Sequence, residues 1–232
     1  MADLVPFLKY EEAGAYHWVE ADRAARRYNP ALDARYRVIL RSVSARDVVL
    51  DLGCVDGYLL HLASSRARRV VGIDSEKAAV MLAGPLLREA PNVAVTQGSS
   101  YELPFRDGSF DVVLMADVIE HLEDAAAAVR ECRRVLRPGG RLLVTTPKWR
   151  PDRTWDVRHV KEYTPDELRE CLGASFPDVR MTFFWPLVWS NAYATKVGWR
   201  LVRELARYVY NPFLREGSEP EKYGQILAVC RK

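Results

Sequence analysis

Cysteine is scarce in this chain and scattered. Cys54, Cys132, Cys171 and Cys230 are spread over 232 residues without the paired spacing of a zinc cage or a disulfide framework. They suit a reducing compartment and small apolar packing. No run approaches the ~18 apolar residues of a membrane span. The opening residues, MADLVPFLKYEEAG, lack the basic start and apolar stretch of a secretory signal. A cytoplasmic protein is expected. An excess of one charge is also missing: a net of +3 gives the whole chain no electrostatic claim on nucleic acid. Internal repeats and low-complexity tracts are absent. What is present, with 49% hydrophobic residues, suits one α/β domain with a core of ordinary size.

Residues 11–43 read as helical, interrupted at Asn29-Pro30. An alternation then begins. Strand-like runs at 48–52, 69–73, 93–96, 110–115 and 141–145 are accompanied by helical stretches at 58–65, 76–88 and 125–136. Pro138-Gly139-Gly140 is expected to stop the last of these helices before the fifth strand. Such alternation implies right-handed crossovers and a parallel sheet covered on both faces. Further on, Thr164-Pro165-Asp166-Glu167 is a helix start with a cap, a proline in the first turn and acids facing the dipole. Strand candidates at 179–184 and 225–230 enclose a long aromatic segment, 185–214.

The most informative stretch is 48–60. A β-branched run ends in Asp51, a loop with Gly53 and Gly57 follows, and an apolar helix opens at Tyr58. Strand, acid, glycine loop and helix make a nucleotide-type site at the carboxyl end of a parallel strand. The acid decides the ligand: it repels a pyrophosphate and holds a cationic amino group. A nicotinamide-dependent oxidoreductase would instead show G-x-G-x-x-G opening the helix, whereas this loop reads D-x-G-x-x-x-G.

With the L-P-F, S-F-D and E-H-L blocks downstream, the chain resembles class I S-adenosylmethionine-dependent methyltransferases of the broad methyltransferase-11-like subgroup, over roughly residues 48–147. The resemblance implies a Rossmann-like α/β fold: a seven-stranded, mostly parallel sheet with helices on both faces and an antiparallel last strand. It implies S-adenosyl-L-methionine as cofactor, held by Asp51, Gly53, Cys54 and Gly57 in the first loop, by Asp74 and Ser75 after the second strand, by Ser99 and Ser100 after the third, and by Ala116 at the end of the fourth. Asp51 would meet the α-ammonium of the ligand, and Asp74, about twenty residues on, would accept the ribose hydroxyls. Two positions depart from the pattern. Val55 stands where a middle glycine is usual, and Ser99 where an aspartate commonly accepts from the adenine amino group.

Methyl transfer needs in-line alignment, exclusion of water and, for a weakly acidic nucleophile, a general base. His121, after the fourth strand, and His159, after the fifth, are the catalytic candidates, and loop ordering is the alternative role for each. His17 and His61 read as packing or surface residues. Asp117-x-x-Glu120-His121 with His159 downstream also resembles the acid-x-x-Glu-His plus His set of some ubiquinone-pathway O-methyltransferases and small-RNA 2′-O-methyltransferases, where a divalent ion binds the accepting hydroxyls. Asp117 replaces the typical glutamate there, and no metal ligand is assigned.

A single domain over 1–232 is expected, with an N-terminal helical lid (1–46), a cofactor-binding core (47–147) and a substrate-side half (148–232) containing the insert 185–214. Tyr10, Tyr16, Trp18 and Tyr28 could stack at such a lid or pack plainly on the sheet. In the insert, Lys196, Arg200, Arg203 and Arg207 recur on one helical face and Val197, Leu201, Leu205 and Val209 on another. Such a helix over 196–209 can pack its apolar side and leave its charges in water, lie on an anionic membrane, or contact a second subunit. The function expected is O-methylation of a small-molecule or lipid-type acceptor. The alternatives are a catalytically silent cofactor-binding partner subunit and an RNA methyltransferase. Neither the acceptor nor the oligomeric state is written in the motifs.

Overall fold

The computed structural model describes residues 14–153 and 156–232. Seven strands form one sheet in the order β3-β2-β1-β4-β5-β7-β6. They are β1 (Val48–Leu52), β2 (Arg69–Asp74), β3 (Val93–Gln97), β4 (Phe110–Ala116), β5 (Leu136–Pro147), β6 (Asp178–Pro186) and β7 (Tyr223–Arg231). Strands β1 to β5 pair in parallel, and β7 runs antiparallel between β5 and β6. The expected Rossmann-like sheet with an antiparallel last strand is present.

Alternating side chains of the central strands feed two cores, one on each face. Leu50, Val113, Met115 and Val144 join one core with α5 (Ala125–Val135) and α6 (Pro165–Gly173). Val49, Val112, Leu114 and Leu143 join the other with α2 (Pro30–Leu40), α3 (Tyr58–Ser64) and α4 (Lys77–Leu86). Burial on both faces explains why these strands read as unbroken apolar runs. Helix α6 starts as expected, with a capping box between Thr164 and Glu167.

The lead-in differs from expectation. Among the described residues, α1 (Tyr16–Glu20) alone is helical before turns that reach α2, where Asn29 caps by accepting from the Ala31 and Leu32 amides. Of the four aromatics read as lid or packing residues, Tyr28 is buried and donates to Asp33 at 2.8 Å. Tyr10 lies outside the described residues. The fifth strand is also longer than expected. Helix α5 ends at Val135, and β5 runs on through Pro138-Gly139-Gly140 with a register shift opposite Phe110. The irregular register tolerates a proline that has no N–H to give, and Gly139 takes φ +77°. The helix therefore stops before the Pro-Gly-Gly, which lies within the strand.

Between β6 and β7 the chain forms α7 (Leu187–Tyr193) and α8 (Gly198–Tyr208). Two open cavities, of about 600 and 470 Å³, lie along the starts of β1 to β3. The second reaches up β3 to Thr96 and to Pro104 and Phe105, but neither is lined by Asp51, Asp74 or Ala116 at the carboxyl tips of β1, β2 and β4.

Candidate functional site

Strand β1 delivers Asp51 to the sheet's carboxyl edge with 1% of its surface exposed. Its Oδ2 has no hydrogen-bond partner, and burial together with the nearby Asp74 charge pushes its pKa well above the ordinary value. A buried carboxylate oxygen without a donor is costly unless a cation meets it. The loop beyond is built for close approach. Gly53 has φ +75°, and a Cβ there would meet Val118 at 2.6 Å; Gly57 has φ +80°. Cys54 is buried against Gly72 of β2, so its thiol serves packing.

Val55 adopts φ +43°, a left-handed conformation that a β-branched side chain takes only under constraint. The constraint is visible: the Val55 amide donates to Asp74 Oδ2 at 2.9 Å. The missing glycine is therefore accommodated as strain of about 1–2 kcal/mol. Glycine would relieve the strain but adds unfolded-state freedom of roughly 0.5–1 kcal/mol. Val55→Gly is expected to stabilise the protein by up to about 1 kcal/mol, read by thermal unfolding; a clear loss of stability would show that the valine side chain contributes packing that outweighs the strain.

At the tip of β2, Asp74 also accepts from the Glu76 amide at 2.9 Å. It thus ties the glycine loop to the start of α4, and each oxygen keeps a second lone pair for a ligand hydroxyl. Burial raises its pKa while the amide hydrogen bonds oppose the rise. Ser75 is exposed beside it, its carbonyl accepting from Gln97. Gly98 donates to the Asp74 carbonyl, which places Ser99 and Ser100 alongside. The Ser99 hydroxyl accepts from the Tyr101 amide at 3.1 Å. Ala116 ends β4, next to β1 in the sheet. All nine residues expected to bind the cofactor therefore belong to the tips, or the loops beyond them, of four neighbouring strands.

A second polar cluster follows β4. Asp117, at φ +53°, accepts from the Thr145 hydroxyl at 2.8 Å and the Gln225 amide at 3.3 Å, and pairs with Arg35 of α2 at 3.0 Å. Asp117 holds the half-buried Arg35 guanidinium charged against the cost of desolvation. Glu120 is 1% exposed. Its Oε2 accepts from Thr146 at 2.9 Å, while Oε1 has no hydrogen-bond partner. Burial and the Asp117 charge raise its pKa well above the ordinary value.

His121 and His159 stand edge to face, ring centroids 4.9 Å apart. His121 Nδ1 donates to the Arg158 carbonyl at 2.9 Å, and His159 Nδ1 lies 2.9 Å from the buried Glu162 carboxylate. Both rings are oriented from behind through Nδ1. Burial lowers the His121 pKa, favouring the neutral imidazole at pH 7. One ligand atom each from Glu120, His121 and His159 lie within 4.8 Å of one another. The two histidines singled out from sequence are thus brought together, and Glu120, left unassigned there, joins them.

Other residues carried no signal of this kind. Arg35 and Gln225 reach the cluster from distant elements. Asp56 is fully buried, and its carboxylate and carbonyl accept from the His17 amide and the Trp18 indole. Only Glu162, three residues after His159, had a local cue.

Residues 50–144 match the family model described as "Methyltransferase domain". A Mycobacterium tuberculosis protein named "Probable S-adenosylmethionine-dependent methyltransferase" is 41% identical over 152 residues, 63% of this chain and 54% of the relative. The chain spans about half the length of the curated relatives it matches. The ubiquinone biosynthesis O-methyltransferase of Pseudomonas paraeruginosa is 34% identical over 46% of this chain and 47% of its own. Among solved structures, the YcgJ protein of Bacillus subtilis superposes with a TM-score of 0.63 at 23% identity, covering 86% of this chain and 98% of that one. A Haemonchus contortus phosphoethanolamine N-methyltransferase, solved with S-adenosylhomocysteine, gives a TM-score of 0.70 at 16% identity over 99% of this chain and 60% of that one.

Proposed function

We propose that this chain carries a class I S-adenosylmethionine-dependent methyltransferase domain and that it methylates an oxygen of a small-molecule or lipid-type acceptor. One observation carries the cofactor half of the reading: the buried Asp51 oxygen without a donor, at a strand tip beside a glycine loop and a second acid. S-adenosylmethionine, when bound, supplies an electrophilic methyl. Asp51 neutralises the α-ammonium, Gly53 and Gly57 admit the ligand to the backbone, and Asp74 accepts the ribose hydroxyls. Residues 14–46 act as the lid: Trp18 and His17 fasten them to Asp56 inside the glycine loop.

The acceptor side is the cluster beyond β4. His159, oriented by Glu162, takes the proton of the accepting hydroxyl, and His121 packs beside it as its partner. The O-methylation named for the Pseudomonas relative supports an oxygen acceptor. A second reading has its own observation. Two imidazoles oriented through Nδ1 and a buried carboxylate with one unpartnered oxygen form a donor set that suits a small divalent cation. Such an ion would lower the pKa of an accepting hydroxyl.

Calorimetry with S-adenosylhomocysteine tests the cofactor half. Asp74→Ala is expected to weaken binding about tenfold to a hundredfold, since hydrogen bonds to a charged group contribute roughly 1.5–3 kcal/mol. Unchanged affinity in a folded variant would move the ribose elsewhere. Failure of the wild-type chain to bind at millimolar ligand would remove the enzyme reading. Methyl-labelled cofactor with fractionated extract of the source cell then identifies the acceptor class.

A further inference from the structure

Helix α8 is turned the opposite way from an ordinary surface helix. Two of its arginines, Arg203 and Arg207, face inward. Arg207 donates to the Ala25 carbonyl at 2.6 Å and stands 5.7 Å from the Tyr28 ring. Arg203 lies 4.5 Å over Trp199 and donates to the Arg26 carbonyl at 3.4 Å. Their side chains are about one-fifth exposed, at 20% and 17%. Val202 and Ala206 are the buried apolar residues of this helix. The other apolar face is in water: Val197, Leu201 and Tyr208 are 66%, 67% and 76% exposed. They fall four and seven residues apart, so they form one stripe. Val209 and Tyr210 extend it, also exposed.

The rim of the stripe is basic. Lys196, just before α8, and Arg200 on it are exposed. Arg23, Arg26 and Arg27 are exposed on the segment joined to α8, which Arg23 fastens by donating to the Ala206 carbonyl. Among the described residues, three acids share this surface: Asp22, Glu20 paired with Arg27, and Glu204 paired with Arg203.

We propose that this face of α8, with its basic rim, docks on an anionic lipid surface. An apolar and tyrosine stripe flanked by Lys and Arg matches the interfacial zone of a bilayer, where aromatic side chains and short apolar insertions are favoured. Charge complementarity selects the occupant. Anionic headgroups attract the rim, whereas a second copy meeting the stripe across a two-fold axis would bring basic rim against basic rim. The insert begins at Trp185, whose ring lies 5.9 Å from the Arg35 guanidinium that pairs with Asp117. The segment that carries α8 is thus joined, at its start, to the polar cluster beyond β4. The inference deepens the lipid-type acceptor reading without needing turnover.

The test is co-sedimentation of the whole chain with phosphatidylcholine vesicles, with and without about one-third phosphatidylglycerol. Binding is expected to the anionic vesicles and is expected to fall with added salt. Leu201→Asp should reduce it more than tenfold, and the Lys196→Ser, Arg200→Ser pair by roughly tenfold or more, at about fivefold per basic residue. Melting temperature and S-adenosylhomocysteine affinity should hold in both variants. Absence of binding to anionic vesicles, or equal binding by Leu201→Asp, overturns the proposal. So does a dimer in sedimentation velocity that Leu201→Asp dissolves while vesicles are ignored. Because cofactor affinity is measured separately, failure here leaves the methyltransferase reading standing, and failure there leaves the lipid result intact.

Discussion

Asp51→Asn is expected to lower S-adenosylhomocysteine affinity by about a hundredfold or more while leaving the ligand-free protein as stable as the wild type or more so. The two halves of this result have one cause. The carboxylate is fully buried, one oxygen has no partner, and the Asp74 charge stands nearby. Without a cation the negative charge is a burden on the fold, which the neutral amide removes. With an ammonium present the same charge is half of a buried pair, and truncating one partner of such a pair costs roughly 2–5 kcal/mol. The pH dependence follows from the sign of the shift. Asp51 has a folded-state pKa raised above its unfolded value of 3.8, so the folded, ligand-free protein binds the proton more tightly. Its contribution to stability therefore falls as pH rises from about that unfolded value through the raised folded value. Over the same window the site becomes charged and affinity for the ammonium grows. The ligand-induced rise in melting temperature should increase with pH in the wild type and stay flat in Asp51→Asn. A ligand-induced shift of equal size in both proteins would place the ammonium elsewhere.

Asp51 was legible because local sequence and tertiary position coincide there. A β-branched run ending in an acid, followed by glycines, identifies a strand tip before any partner strand is known. Asp74 and Ala116 were legible for the same reason, each being the last residue of its strand. Helix α8 was not: the expected helix over 196–209 spans Gly198–Tyr208, and its basic set divides, Arg203 and Arg207 turning inward while Lys196 and Arg200 stay exposed. The period of a helix gives the faces but not which one the fold covers. That choice was made by Trp199, Tyr28 and the carbonyls of Ala25 and Arg26, which accept the arginines from another part of the chain. Arg35 was invisible for a related reason: nothing near position 35 announces a half-buried, paired guanidinium, because its partner Asp117 lies 82 residues further on. The Pro-Gly-Gly at 138–140 misled because a helix stop and a strand bulge share the same residues.

Glu120, His121 and His159 are where the largest loss of turnover is expected. His159→Asn should reduce kcat by roughly a hundredfold to ten-thousandfold, the range set by removal of a general base, with S-adenosylhomocysteine affinity unchanged because the cofactor acids lie on other strands. Retained kcat would reduce His159 to a loop-ordering residue. For His121 the direction of the shift gives a pH signature. Burial lowers its pKa below the usual histidine value, so the ring stays neutral to lower pH, and any acid limb in kcat/KM that belongs to it should fall below that usual value. Binding measurements separate the two readings of the cluster. Titration of the metal-free chain with Mn²⁺, followed by electron paramagnetic resonance, should show one bound ion if the three donors act together. Glu120→Gln should abolish that binding, since it removes the anionic oxygen that has no protein partner. Chelator treatment should then depress turnover and added Mn²⁺ restore it. If the wild-type chain binds no ion and turns over in chelator, the imidazoles act without a metal: the buried Glu120 keeps its proton, as its raised pKa favours, and His159 with Glu162 behind it carries the proton transfer alone.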